Sequence, residues 1–367
     1  MRKKILAVAA ITALALTACG RSTDTTSGAS GSASAKPADI TVGVAMPTKT
    51  SERWIKDGDY MKQQLEAAGY KVNLQYANDD IPTQVTQLQD MITKKNGVLV
   101  VASIDGTALK GALSDAKADG IPVIAYDRLL RDTDAVEYYT TFDNLKVGKL
   151  QAESLLKGLE ASGKPKPWNV ELFAGSPDDN NATFFYNGAW EVLKPKVDDG
   201  TIKIKSGETD FKTVATLRWD AAVAKKRMEN LLTKSYSDAD VNGVLSPYDG
   251  LSRGIIAALK GSGYGSGGKT LPVVTGQDAE LESVKSILHD EQYSSVFKNT
   301  QDLAKATVQM IQEITGKKTV TTNDTTSYNN GVKVVPTQLL EPVAVDKSNI
   351  EQVLLDAKYY TEDQLKS

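Results

Sequence analysis

The strongest constraint on this chain is an alternation of short β-branched runs with helical stretches, repeated from Ile40 onward. Residues 40–45 read I-T-V-G-V-A, a strand. Residues 52–68 then carry apolar side chains at helical spacing and stop at Gly69, a helix C-cap signal. Residues 72–76 alternate as a second strand, and 82–95 form a second helix. Residues 97–102, G-V-L-V-V-A, are a continuous apolar run of the kind buried on both faces of a parallel sheet. A helix over 107–118 and strands over 122–126 and 138–142 follow. After Asn144 the alternation resumes, with strands over 169–174, 201–205, 243–246, 272–275 and 294–297. Repeated β-α units argue for parallel sheets with helices on both faces. Ten strands rarely form one open sheet, and 367 residues favour two domains. The expectation is two doubly wound lobes of five or six strands, with the break near 142–146.

The first residues belong to no fold. Arg2, Lys3 and Lys4 precede an apolar core over 5–16, too short for a membrane span, so 1–18 read as a secretory signal. Leu16-Thr17-Ala18-Cys19 resembles the bacterial lipobox, which implies cleavage before Cys19 and lipid attachment to it. Several acyl chains on one residue anchor stably where one binds only marginally. Residues 19–38, rich in Ser, Thr, Gly and Ala, read as a flexible tether. Cys19 is the only cysteine, so the chain has no internal disulfide, thiolate zinc cluster or separate thiol nucleophile.

Several chemistries are disfavoured by composition. A net charge of −3, with basic residues scattered among acidic ones, gives no footprint for nucleic acid. G-Y-G-S-G-G at 263–268 matches the dinucleotide fingerprint, but a helix precedes it and a strand follows, the reverse of the required context. His289 is the only histidine, in a polar stretch with no nucleophile nearby, and no metal-ligand spacing occurs.

What remains is a set of polar and aromatic residues at strand ends: Arg53 and Trp54, then Asp127 and Arg128, then Asp178 to Asn181. Arg218, Trp219 and Asp220 follow, then Tyr248 and Asp249, Gln277 and Asp278, and Lys298. Singly, each has a plain structural reading: the tryptophans as packing residues, Asp220 and Asp249 as helix N-caps, Asp127 and Arg128 as a local ion pair. Together they fall on one edge of their sheets, where open α/β folds bind ligands. Carboxylates, amides and guanidinium groups offer planar, multidentate hydrogen bonding. Tryptophan offers a broad, rigid apolar surface. That combination suits a neutral polyol such as a sugar ring.

At these residues the chain resembles the periplasmic monosaccharide-binding proteins of ABC importers, within them the ChvE-type multiple sugar-binding proteins, relatives of xylose-binding proteins. The matching stretches are A-M-P-T-K-T-S-E-R-W, I-A-Y-D-R-L, T-F-D-N, L-F-A-G-S-P-D-D-N-N-A, T-L-R-W-D, L-S-P-Y-D-G-L, V-V-T-G-Q-D-A-E and Y-S-S-V-F-K. The resemblance implies a type I periplasmic binding protein fold: two lobes joined by a three-segment hinge that close on one sugar. The first lobe is expected over 39–143 plus 295–320, and the second over 144–294 plus 321–367. Arg53, Trp54, Asp127, Arg128 and Lys298 would line the first lobe or hinge. Asn181, with Asp179 or Asn180, would join Trp219, Asp249, Gln277 and Asp278 on the second. In this reading Asn181 is a direct contact and one aspartate of the 178–179 pair is a helix cap, either one. Many broader relatives carry Asn-Asp where this chain has Tyr248-Asp249, which blocks transfer of their sugar specificity.

The implied function is an extracytoplasmic, lipid-anchored, monomeric solute-binding protein. It would deliver an aldose such as xylose, arabinose, glucose or galactose to an ABC permease, with no cofactor, no metal and no catalysis. The alternatives are a sugar sensor docking a membrane chemoreceptor or sensor kinase, and a glycoside hydrolase using Asp178 or Asp179. The last needs two carboxyl groups flanking a scissile bond.

Overall fold

The computed structural model describes residues 36–366. The signal segment, Cys19 and nearly all of the tether lie outside them. The first half runs β1 (Thr41–Met46), α1 (Glu52–Ala67), β2 (Lys71–Tyr76), α2 (Ile81–Thr93), β3 (Val98–Val101), α3 (Lys110–Ala118), β4 (Val123–Tyr126) and β5 (Val136–Phe142). Next come α4 (Asn144–Ala161), β6 (Trp168–Leu172), α5 (Asn180–Asp198), β7 (Ile202–Ile204), α6 (Phe211–Val214), α7 (Ala221–Ser235), β8 (Gly243–Leu245), α8 (Asp249–Gly261) and β9 (Val273–Val274). The chain ends with α9 (Leu281–Leu288), β10 (Ser294–Phe297), α10 (Thr300–Thr315), β11 (Thr337–Leu340), β12 (Val343–Asp346) and α11 (Glu362–Lys366).

Two parallel sheets result, ordered β11-β5-β4-β3-β1-β2 and β7-β6-β8-β9. Each is apolar on both faces. In the first sheet Val42, Val44, Val98 and Val100 pack under α1 and α10, against Met61, Leu65, Leu303 and Ile311. On the opposite face Ala45, Leu99 and Val101 meet Leu88, Met91 and Leu113 of α2 and α3. That is why the 97–102 run shows no polar alternation. The second sheet is covered by α7 and α8 on one side and by α4 and α5 on the other.

The chain passes between the lobes three times: from β5 into α4, from β10 into α10, and from β11 into β12. Two strands sit on the other side of the hinge from where sequence allotted them. β10, expected with the first lobe, pairs antiparallel with β12 and bridges to Gln277 beside β9. β11, within the stretch expected in the second lobe, pairs with β5 in the first sheet. Both are four residues long. A run that short carries no sign of which sheet it will join. Neither β11 nor β12 was anticipated as a strand.

Helices α4 and α5 cross closely. A Cβ on Gly148 would lie 1.9 Å from the Phe185 carbonyl oxygen, and one on Gly188 2.0 Å from that of Leu145. Only glycine allows this approach, and it fixes where α5 begins relative to the hinge. Among the described residues, no helix is long and apolar enough to cross a membrane.

Candidate functional site

The carboxyl ends of the parallel strands converge on a cavity of about 610 Å³. The first lobe contributes Thr48, Thr50 and Ser51 from the β1–α1 loop, and Arg53 and Trp54 from the start of α1. It also supplies Asp79 after β2, and Asp127 and Arg128 after β4. The second lobe contributes Asp179, Asn181 and Phe185 at the start of α5, and Arg218 and Trp219 from the turn before α7. Tyr248 follows β8, Gln277 and Asp278 follow β9, and Lys298 follows β10.

One chain of charges forms the floor. Asp57 is fully buried and accepts from Arg53 at 2.7 and 2.9 Å and from the Tyr126 hydroxyl at 2.5 Å. The far side of the Arg53 guanidinium donates to Asp127 at 2.9 Å. Lys298 pairs with Asp278 at 3.1 Å and lies 3.8 Å from Asp127. Burial would raise the Asp127 carboxyl, but Arg53, Lys298 and Arg128 around it hold it below the usual range. Asp57, with fewer cations in reach, is pushed by burial up to about 6. Alternating signs at these distances leave the floor close to neutral, which suits an uncharged ligand rich in hydroxyls.

The walls are aromatic. Trp54 is buried beneath the Arg53 and Arg128 guanidinium groups, 4.4 and 5.1 Å from its ring centre. Opposite it, Trp219 stands edge-on to Phe185 and Tyr248, with centroids 6.3 and 6.0 Å away. Trp219 Nε1 and Gln277 Oε1 are buried and lack a hydrogen-bond partner within the protein. An orphaned donor and an orphaned acceptor on one cavity wall mark places for a ligand's polar groups. The backbone there is strained: Asp127, Arg218, Trp219, Asp278 and Ala279 all have positive φ, from 48° to 88°. Such outliers in non-glycine residues cluster where a site over-determines the backbone.

Of the side chains expected at the site, all but Asp178, Asn180 and Asp249 line this cavity. Asn180 is half-buried at the first position of α5 and does not reach the cavity. Asp249 lies fully buried behind the wall, accepting from the Glu280 backbone N–H at 2.8 Å, Gln292 at 2.9 Å and the Ser295 hydroxyl at 2.9 Å. Its neighbours are structural donors, so it braces the 278–281 segment and is not among the residues that line the cavity.

The 178–181 loop resolves into distinct roles. Asp179 caps α5 through the Asn181 N–H at 3.0 Å and pairs with Arg128 of the other lobe at 3.0 Å. Asp178 accepts from Ser176 at 2.5 Å and pairs with Arg218 at 3.0 Å. Asn181 lines the cavity yet points its amide at the hinge: Nδ2 donates to the Asp127 carbonyl at 2.8 Å, and Oδ1 accepts from Tyr139 and Asn144, each at 3.1 Å. Both aspartates are ion-paired, which leaves neither as an obvious acid or base. Sequence reasoning passed over Phe185, Asp79, Arg253 and Glu280. Phe185 falls in the aromatic run after the loop, a signal that was present; Glu280 gave none, because its side-chain partners come from two distant segments, Ser51 before α1 and Tyr248 and Arg253 at the start of α8.

The periplasmic binding protein domain model matches residues 42–319. The chain is 58% identical over 326 residues to the multiple sugar-binding periplasmic receptor ChvE of Rhizobium radiobacter, covering 89% of this chain and 92% of that protein. It is 54% identical to the multiple sugar-binding periplasmic protein SbpA of Azospirillum brasilense, covering 89% and 91%. Among solved structures, an ABC transporter solute-binding protein from Clostridium phytofermentans with bound β-D-glucose superposes with a TM-score of 0.84. The two are 45% identical, and the match covers 89% of this chain and 99% of that one.

Proposed function

The chain belongs to the periplasmic binding protein domain family, and from that premise we propose that it captures an aldose between its lobes and delivers it to an ABC permease. It is a sugar-binding receptor of the ChvE type and not an enzyme, as its relatives are binding receptors. The observation that carries the choice of ligand is the make-up of the cavity. A charge-balanced polar floor faces an aromatic wall, and two of the lining residues, Trp219 and Gln277, carry a buried polar atom with no partner in the protein. A pyranose presents hydroxyls around its rim and an apolar C–H face, and this pairing matches both.

Arg53, Asp127, Arg128, Asp179, Gln277, Asp278 and Lys298 supply the polar contacts in this reading, and Trp54, Trp219 and Phe185 the aromatic surfaces. Lipid attachment at Cys19 holds the protein at the outer face of the cell membrane, close to the permease. Calorimetry against a panel of pentoses and hexoses tests the proposal. Saturable one-to-one binding of at least one aldose is expected; no heat with any of them sinks it.

A further inference from the structure

Helices α1 and α9 belong to different lobes and point their N-termini at each other. Neither N-cap residue, Ser51 or Glu280, caps its own helix through its side chain. Each end meets a carboxylate from across the cleft, α9 at a backbone N–H and α1 at its N-cap hydroxyl. Glu52, in the first turn of α1, accepts from the Leu281 N–H of α9 at 3.0 Å. Glu280 accepts from the Ser51 hydroxyl at 3.0 Å. Two positive helix ends brought together repel, and a carboxylate from the opposite lobe at each offsets that. The arrangement is reciprocal and exists only while the lobes are closed.

The clasp is wired to the cavity. Glu280 is buried and also accepts from the Tyr248 hydroxyl at 2.7 Å and from Arg253 at 2.6 Å. Tyr248, Arg253 and Ser51 all line the cavity, whereas Glu280 does not. With its hydroxyl held by Glu280, Tyr248 turns its ring edge-on toward Trp219. Two residues upstream, Asp278 reaches Lys298 from a backbone with φ 88°.

We propose that Glu280 and Glu52 are positioning residues for the ligand: their reciprocal clasp holds the lobes closed, and through Tyr248 Glu280 sets the wall on which the sugar stacks. This rests on the reading of the cavity as a sugar site and adds what governs release from it. Sugar leaves only after the clasp opens, so weakening it speeds dissociation and leaves association nearly unchanged.

The test is stopped-flow tryptophan fluorescence with D-glucose as probe, on variants whose thermal melts show them folded. Glu280→Gln keeps the side chain's shape and is expected to release glucose at least tenfold faster, with an association rate within twofold of wild type. Ser51→Ala is expected to have a smaller effect and to add nothing in the Glu280→Gln background. A Glu280→Gln dissociation rate within twofold of wild type, or additive effects of the pair, overturns the proposal. Should Glu280→Gln fail to fold, Glu52→Gln carries the same expectation and leaves the cavity lining intact. If wild type binds no sugar at all, the reading of the cavity fails, and the clasp is judged by X-ray scattering of the ligand-free protein. There the Glu52→Gln, Ser51→Ala double variant must be more expanded than wild type, and equal radii overturn it.

Discussion

Trp219 and the residue before it both sit in the left-handed region, at φ 55° and 57°, and the outer edge of the indole six-membered ring lies close against Gly175. A Cβ on Gly175 would lie 1.9 Å from that ring. Gly175→Ala is therefore expected to push Trp219 out of place and weaken sugar binding at least about tenfold, roughly 1.4 kcal/mol. Trp219→Ala removes the surface itself and is expected to cost about 2 kcal/mol or more. Calorimetry measures both, and unchanged affinity in either variant contradicts the placement of the ligand on that wall. Asp249 calls for a different experiment. Burial, and next the Glu280 carboxylate, push its pKa up to about 8 from an ordinary 3.8. Between those values the folded state holds more protons than the unfolded one. The stability this contributes is complete below 3.8 and is lost as pH rises through about 8. Asp249→Asn is expected to flatten that fall in melting temperature; a parallel decline in the variant rules it out. Asp249→Ala, which strands three donors, should lower stability more than it lowers intrinsic affinity.

At the scale of elements, the crossing of α4 and α5 decides where Phe185 and Asn181 stand. Gly148→Ala would drive a methyl group into the Phe185 carbonyl and the Ala189 N–H, both backbone, so α5 has to shift. The expected cost is about 1–3 kcal/mol, as for other overpacked interiors, read by urea denaturation, with weaker sugar binding alongside. Unchanged stability would mean the helices separate freely. The helices and strands themselves were largely legible. Gly69 ends α1 one residue beyond its Ala68 C-cap, and the 97–102 run became β3, buried throughout. β11 and β12 were not legible, because T-Q-L-L and V-A-V-D are too short to show a period. Their partners alone make them strands.

For the whole molecule, the anchor and the cleft are separate proposals. Cys19→Ser is expected to move the protein from the membrane fraction to the soluble one, and continued membrane retention contradicts the lipid anchor. Closure joins the lobes through Arg128 to Asp179, Ser51 to Glu280 and Leu281 to Glu52. None of these pairs is close in sequence.

The sequence by itself determined the two parallel sheets, because burial on both faces leaves an unmistakable apolar run. It also determined which strand-end loops gather at one edge, because the βα unit puts every such loop on the same side. Only the tertiary structure decided which side chain in each loop faces ligand and which braces it. Asp249 and Tyr248 are neighbours, yet one is walled in by Gln292 and Ser295 while the other lines the cavity. Adjacent residues diverge according to what packs behind them, and what packs behind Asp249 comes from 43 and 46 positions further along the chain.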